Sequence, residues 1–369
     1  MRFTCPAEKL QTGLSIATRA LSARSTLPIY EGVLLKSCDE GLRLTCSDGS
    51  ITISTVIEAD IAQEGSVVLP GRLFYEVVRK MPGNGIINAS LSQGNSLTVR
   101  CMGSRTTIAG QSAGDYPALP QVSDAEPLML PQPLLKSMIQ QTAFAISSDE
   151  TRMVLTGSLL EIQKGEARMV SLDGFRLGLR LERINADAPA LSAIIPGKTL
   201  GEISKILLDD EGAMAMLLIG KNQLMITLGE SQLYSTLIEG EYINYRQILP
   251  AQWQTRVRVN REELLNCVER ASLMAREGKN NLILMKIEEG VMVITANSES
   301  GDAYEEIAVT TEGQPLNIAF NVKYVSDVLR VLDDEEIYLR FISGVSPCLI
   351  CPVEGDAFLY LVLPVRVNA

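Results

Sequence analysis

Two turns in this chain set an aspartate beside a glycine, at Asp48-Gly49 and Asp173-Gly174. A carboxylate held in such a turn could act as a general acid or base. Asp173 is the better acidic candidate, because it lies next to Arg176 in Leu172-Asp173-Gly174-Phe175-Arg176-Leu177. The two aspartates occupy the same turn about 125 residues apart, which favours a side chain bonding its own backbone over catalysis. Cys348 and Cys351 form a lone C-x-x-C. On a strand, residues three apart face opposite sides, and no second pair accompanies them, so they read as core thiols rather than zinc ligands. The chain has no histidine, which removes the commonest general base and the commonest metal ligand. It carries no P-loop, dinucleotide fingerprint, H-E-x-x-H or G-x-S-x-G motif. The expectation is no catalytic residue, no metal site and no cofactor. A hydrolase using Asp48 or Asp173 is the enzymatic alternative.

The elements that would position these residues recur. A helical pattern begins at Leu69-Pro70-Gly71-Arg72, again at Ile195-Pro196-Gly197-Lys198, and again at Phe320-Asn321-Val322-Lys323. A spacing of about 125 residues makes the repeat a whole domain. Phe74, Val77, Val78 and Met81 form one apolar face of the first copy. Leu200, Ile203 and Leu207 do so in the second, and Val325, Val328, Leu329 and Leu332 in the third. The opposite faces carry Arg72, Glu76 and Arg79; Lys198, Glu202 and Lys205; and Lys323, Asp327 and Arg330. Any single copy is an ordinary solvated face with weak helical ion pairs. Three copies in one register suggest three helices presenting similar faces to one extended anionic object. A second helix also recurs, through Leu10, Leu14 and Ala17, then Leu135, Ile139 and Thr142, then Leu264, Val268 and Ala271. Asn260 with Glu263 three residues on reads as a variant capping box.

A chain of 369 residues is too long for one core and suits three domains, expected at 1–120, 121–250 and 251–369. Gly114-Asp115-Tyr116 and Gly240-Glu241-Tyr242 read as linkers. Leu42, Leu44 and Cys46, Ile51, Ile53 and Thr55, and Val291, Val293 and Thr295 alternate with other residues at the strand period. Each repeat should hold two helices and about eight mainly antiparallel strands, an α+β fold. The net charge of −11 disfavours nucleic acid through long-range repulsion. Screening within about 8 Å leaves the local field at a binding face to decide. Seven irregularly spaced cysteines do not suggest a disulfide framework. The start has no signal-peptide shape, and no apolar run approaches about 18 residues, so a cytoplasmic chain with no membrane partner is expected.

Several segments are specific enough to carry a resemblance. These are Arg24-Ser25-Thr26-Leu27-Pro28-Ile29, Asp173-Gly174-Phe175-Arg176-Leu177, Tyr245-Arg246-Gln247-Ile248-Leu249-Pro250, Phe320-Asn321-Val322-Lys323-Tyr324 and Leu363-Pro364-Val365-Arg366. With the threefold repeat, the chain resembles the bacterial DNA sliding clamps, the β subunits of DNA polymerase III, from end to end. The resemblance implies three DNA-clamp domains per chain and a ring-shaped, head-to-tail homodimer with helices around the hole. It implies sequence-independent encirclement of double-stranded DNA, and docking of the replicative polymerase, clamp loader and repair proteins through short linear motifs. A clamp-like, peptide-binding scaffold without DNA encirclement is the alternative, given the acidic charge and Gly197 where relatives often have a second base.

The resemblance assigns DNA contact to Arg24, Arg72 and Lys198, and the repeated faces add Arg79, Lys80, Lys205, Lys323 and Arg330. It assigns a peptide pocket to Leu155, Gly174, Phe175, Arg176 and Leu177, to Ile243, Gln247 and Ile248 in the second linker, and to Leu361, Val362, Leu363, Pro364, Val365 and Arg366 near the end. Phe175 stands where many relatives have histidine, and Gln247 where many have arginine. The tail Val367-Asn368-Ala369 is expected beside the pocket. For the dimer contact it pairs Arg100 and Arg105 with Glu299, Asp302, Glu305 and Glu306, and offers Leu273 as an apolar anchor.

Overall fold

The computed structural model describes residues 1–369 except 23–26, 124, 251, 279–280 and 367–369. Arg24 and the tail Val367-Asn368-Ala369 therefore lie outside the described residues. The first repeat runs β1 (Arg2–Pro6), α1 (Ala7–Ala17), β2 (Gly32–Cys38), β3 (Gly41–Ser47), β4 (Ile51–Ile57), β5 (Asp60–Gln63), β6 (Ser66–Pro70), α2 (Gly71–Arg79), β7 (Ile86–Leu91), β8 (Ser96–Cys101) and β9 (Ser104–Ala109). The second runs β10 (Pro127–Pro131), α3 (Gln132–Gln140), β11 (Gly157–Gln163), β12 (Glu166–Leu172), β13 (Arg176–Arg183), β14 (Leu191–Pro196), α4 (Gly197–Ile206), β15 (Met214–Ile219), β16 (Gln223–Leu228) and β17 (Ser231–Thr236). The third runs β18 (Thr255–Asn260), α5 (Arg261–Glu277), β19 (Leu282–Glu288), β20 (Val291–Ser298), β21 (Gly301–Ala308), β22 (Thr310–Gly313), β23 (Leu316–Asn321), α6 (Val322–Val331), β24 (Glu336–Phe341), β25 (Cys348–Pro352) and β26 (Phe358–Val362).

The chain divides into two compact units, residues 1–135 with 202–237 and residues 136–201 with 238–369. In the first unit, one sheet has the order β5-β1-β7-β8-β9 and another β10-β15-β16-β17-β4-β3-β2-β6. The eight-stranded sheet is continuous because β17 of the second repeat pairs antiparallel with β4 of the first, Ser235 opposite Ile51. In the second unit, one sheet has the order β14-β11-β12-β13-β26-β25-β24-β18-β22 and another β21-β20-β19-β23. Its nine-stranded sheet is continuous by the same device, β26 of the third repeat pairing with β13 of the second, Val362 opposite Arg176. Strands β9 and β21 are each at a sheet edge, as are β5, β6, β10, β14, β22 and β23.

The helix faces follow the expected pattern where they meet the sheets. Phe74, Val78, Leu200, Ile203, Leu207, Val325, Val328 and Leu329 are buried, as are Leu10, Leu14, Leu264 and Val268. Asn260 caps α5, its side-chain oxygen accepting from the Glu263 backbone N–H at 3.0 Å. That satisfies one donor the helix start would leave unpaired. Strand β3 departs from clean alternation, with Thr45 and Ser47 buried beside Leu44 and Cys46. The first linker explains it: Tyr116 is buried and its hydroxyl donates to the Thr45 carbonyl at 3.2 Å, covering the face that alternation would leave wet. Among the described residues, no helix is long and apolar enough to cross a membrane.

Candidate peptide groove and nucleic-acid face

The turn between β12 and β13 is built by its aspartate. Asp173 Oδ1 accepts from the backbone N–H of Phe175 at 2.8 Å and of Arg176 at 3.0 Å. Gly174 supplies the left-handed backbone, φ +94°, that the turn needs. Asp48 does the same in the first repeat, accepting from Ser50 and Ile51 at 2.8 Å each, with Gly49 at φ +92°. Both aspartates thus build turns by bonding their own backbones. Cys348 and Cys351 are both buried free thiols, and burial pushes both pKa values up. Among the described residues, no group of three cysteine and carboxylate side chains could hold a metal.

Arg176 is the structural centre of this corner. Its Nε donates to Asp173 Oδ2 at 3.0 Å and its Nη1 to Asp327 Oδ2 at 2.6 Å. Its guanidinium lies 4.8 Å from the Tyr324 ring centroid and 5.4 Å from that of Phe144. The side chain is only 8% exposed, so it holds the turn rather than presenting a charge. Asp327 also accepts from Lys323. Burial alone would raise the Asp327 carboxyl, but the bonds from Arg176 and Lys323 outweigh it and hold the pKa below the ordinary carboxylate range. Phe175 is thereby free to face outward, 53% exposed, stacked on Tyr324 at 5.8 Å.

An apolar floor adjoins this turn. Leu155, Leu172, Leu177, Leu349, Leu361 and Tyr245 pack into one buried cluster, with Leu249 and Leu363 partly buried against it. The second linker crosses here and is pinned down. The Tyr245 hydroxyl donates to Glu161 at 2.7 Å, Arg246 donates to the same carboxylate at 2.8 Å, and Tyr242 donates to the Val170 carbonyl at 3.3 Å. That leaves Ile243, Gln247 and Ile248 exposed along the rim. The terminal segment is held by the Leu363 N–H to the Phe175 carbonyl and the Val365 N–H to the Ala319 carbonyl, both 2.8 Å. Leu363, Pro364 and Val365 are half-buried and Arg366 is exposed.

Val362 stands apart from its expected company: it is fully buried in the third-repeat core, because on β26 it alternates with Leu361. Tyr324, Asp327, Phe144 and Leu349 support the corner and were absent from the expected set. Tyr324 lies in a quoted segment, and the inward acid of α6 was visible only as one member of a charged face.

The basic faces are exposed but unequal. Arg72 and Lys80 are exposed with no ion pair among the described residues. Arg79 pairs with Glu76 at 2.7 Å, Lys205 with Glu202 at 2.8 Å, Lys323 with Asp327, and Arg330 with Glu269 at 2.9 Å. Lys198 is exposed at the start of α4. The acids expected to face fully outward do not all do so. Glu202 and Asp327 are 17% and 16% exposed, drawn in by Arg19 and by Arg176 respectively.

Two of the sheet edges, β9 with its neighbour β8 and β21, carry opposite charges. Arg100 on β8 and Arg105 on β9 are exposed and make no ion pair among the described residues. Asp302, Glu305 and Glu306 lie on β21, with Glu299 in the turn before it. Glu305 is already taken by Arg270 of α5, at 2.6 Å, which holds its carboxyl below the usual range. Tyr304 on β21 and Leu273 on α5 are each 60% exposed.

Comparison with known proteins covers the chain from end to end. The N-terminal, central and C-terminal domains of the DNA polymerase III β subunit match residues 1–120, 129–244 and 246–366. The β sliding clamp of Bacillus subtilis (strain 168) is 34% identical over 378 residues, covering 99% of this chain and all of that protein. A Staphylococcus aureus β sliding clamp is 34% identical over 376 residues, covering 99% of each. The crystal structure of the Bacillus subtilis clamp superposes with a TM-score of 0.95 at 33% identity over all of both chains. That of a Pseudomonas aeruginosa clamp bound to griselimycin gives 0.94 at 27%, again over all of both chains. With this coverage, and with three α+β clamp domains built on antiparallel sheets, the chain belongs to the β sliding clamps, the β subunits of bacterial DNA polymerase III.

Proposed function

We propose that two copies of this chain close head to tail into a ring around duplex DNA and tether the replicative polymerase and other partners to it. One observation carries ring closure. The chain twice joins the last strand of one repeat to a strand of the repeat before it, β17 to β4 and β26 to β13. The same rule leaves β9 of one copy to pair with β21 of another, and both are strands at sheet edges. Edge strands are otherwise an aggregation liability, and head-to-tail pairing removes both at once. Arg100 and Arg105 on one side, with Asp302 and Glu306 on the other, favour that pairing and oppose like with like.

Around DNA, the unpaired Arg72 and Lys80, together with Lys198, Lys323 and Arg330, would offer phosphate contacts that carry no sequence information. Bases already shared with acids, such as Lys205, bind phosphate weakly, which suits sliding. The net charge of −11 is compatible with this, because only the charge near the DNA path acts through physiological salt. The groove of Leu155, Leu177, Leu361 and Leu363, rimmed by Phe175, Ile243, Gln247, Ile248, Pro364 and Arg366, suits a short linear peptide with apolar anchors. The clamp contributes topology and tethering, with no catalytic step of its own. The free thiols suit a reducing, cytoplasmic setting. The test is retention on nicked circular DNA after loading by a cognate clamp loader and a wash in moderate salt. Retention on the circle with loss on linearisation is expected. Equal loss from circle and line would leave a peptide-binding scaffold without encirclement.

A further inference from the structure

The sheet face that forms the groove floor does not stop at the groove. Across β13, β26, β25, β24, β18 and β22, Leu177, Leu361, Leu349, Arg340, Arg256 and Glu312 stand opposite one another in sequence, so all project to one side. Within one strand spacing, about 4.8 Å, the row changes from leucine to arginine.

The two arginines differ in their carboxylate partner. Arg256 donates through Nη2 to both Glu312 carboxylate oxygens, at 2.6 and 2.7 Å, and lies 4.4 Å from the Tyr338 ring and 4.9 Å from that of Trp253, although its Nε, like that of Arg340, is buried without a hydrogen-bond partner. Arg340 has no carboxylate partner among the described residues. Its Nε is buried without a hydrogen-bond partner, and its guanidinium carbon lies 5.9 Å from the Tyr338 ring centroid. It also stands directly across the strand pair from Arg256, an unfavourable juxtaposition of like charges. A half-buried guanidinium without a carboxylate forgoes a charge-assisted bond that an incoming carboxylate would supply. Acidic residues outnumber basic ones in this chain, 44 to 33, yet none among the described residues forms an ion pair with Arg340.

We propose that Arg340 receives an aspartate or glutamate of the peptide that occupies the groove. Arg340 is two strand spacings from Leu361, about 10 Å, which an extended peptide spans in roughly three residues. The favoured partner therefore has an apolar anchor over Leu177 and Leu361 and an acid about three residues away. This rests on the groove reading above, and it adds the charge that the occupant carries.

Fluorescence anisotropy with the full chain tests it. The probes are labelled peptides sharing one leucine-phenylalanine anchor, with glutamate or glutamine placed two, three or four residues to either side. With the native chain, one glutamate placement should bind roughly tenfold tighter than its glutamine twin, the worth of one charge-assisted bond. That advantage should shrink with added salt and disappear in Arg340→Gln, while the glutamine peptide binds both proteins equally. An advantage that survives Arg340→Gln, or no advantage at any placement while the glutamine peptides bind, would overturn the assignment and leave the groove intact. Failure of every peptide to bind would overturn the groove reading and this inference together.

Discussion

If the proposed ring follows the internal junctions, the repeat predicts not only which edges meet but in what register. Ser47 faces Thr52 across one hairpin, Leu172 faces Leu177 across the next, and Asn297 faces Asp302 across the third. Ile51, Arg176 and Gly301 are therefore equivalent starts of β4, β13 and β21. On the other side, Ser104 opens β9 as Ser231 opens β17, so Ile108 is the counterpart of Ser235. Since Ser235 faces Ile51, Ile108 of one copy should face Gly301 of the other, Thr107 should face Asp302, and Arg105 should face Tyr304. Arg105 then lies over the exposed Tyr304 ring with Asp302 and Glu306 diagonal to it on the same face.

The perturbation is a pair of cysteines, Thr107→Cys with Asp302→Cys, both at exposed positions. Directly opposed residues hold their Cβ atoms about 4.5–5.5 Å apart, close enough for a disulfide after a small adjustment. A slip of one residue turns one of the two side chains to the other face and forbids the bond. Thr106→Cys with Asp302→Cys mimics that slip and serves as control. Mild oxidation followed by non-reducing electrophoresis should give a species of twice the chain mass from the first pair and little from the control. The native cysteines should not confuse the result, since all but the half-buried Cys38 are buried. Efficient cross-linking of the control, or none from the designed pair in a sample that sediments as a dimer, would refute the transfer of register from the internal junctions.

Two further outcomes follow from the side chains. Asp327→Asn should cost about 3 kcal/mol in urea unfolding at neutral pH, because Arg176 keeps Asp173 but loses its second buried partner. The Asp327 carboxyl titrates below its unfolded value, so its contribution is complete above the ordinary carboxylate range near pH 4 and is lost as pH falls through the folded value. The gap between native and variant should narrow only there. Arg72→Ala should weaken DNA binding equally for all sequences and make the slope of log K against log salt shallower by about one unit, read by anisotropy over a salt series.

Local physics made part of this molecule legible in its sequence. Each helix needs only its own period to show which face it buries, so Phe74 and Val78 or Val325 and Leu329 could be assigned without knowing what they pack on. The Asx turns were equally local: Asp48 and Asp173 bond backbone groups two and three residues away. What depended on distant partners was not visible. Asp327 looked like an outward acid until Arg176, separated from it by 151 positions, pulled it inward. Leu361 and Val362 were assigned to the pocket together, but only the pairing of β26 with β13 decides which of the two faces the proposed groove and which the third-repeat core.

The same distinction explains why the acidic charge of the chain misleads about its partners. Charge counts as a sum in solution, but at a surface it is sorted by which acids the fold consumes. Asp173 and Asp327 are spent on Arg176, Glu161 on Tyr245 and Arg246, Glu312 on Arg256, and Glu305 on Arg270. Each of these is neutralised locally and projects little field beyond a Debye length. Exposed charges without an ion-pair partner among the described residues, Arg72 on α2, Lys80 just past its end, Arg100 and Arg105 along one edge and Asp302 on another, together with the half-buried Arg340, are the ones left to act on other molecules. On the proposed reading, their positions, rather than the total of −11, would mark the DNA path, the subunit contact and the peptide site.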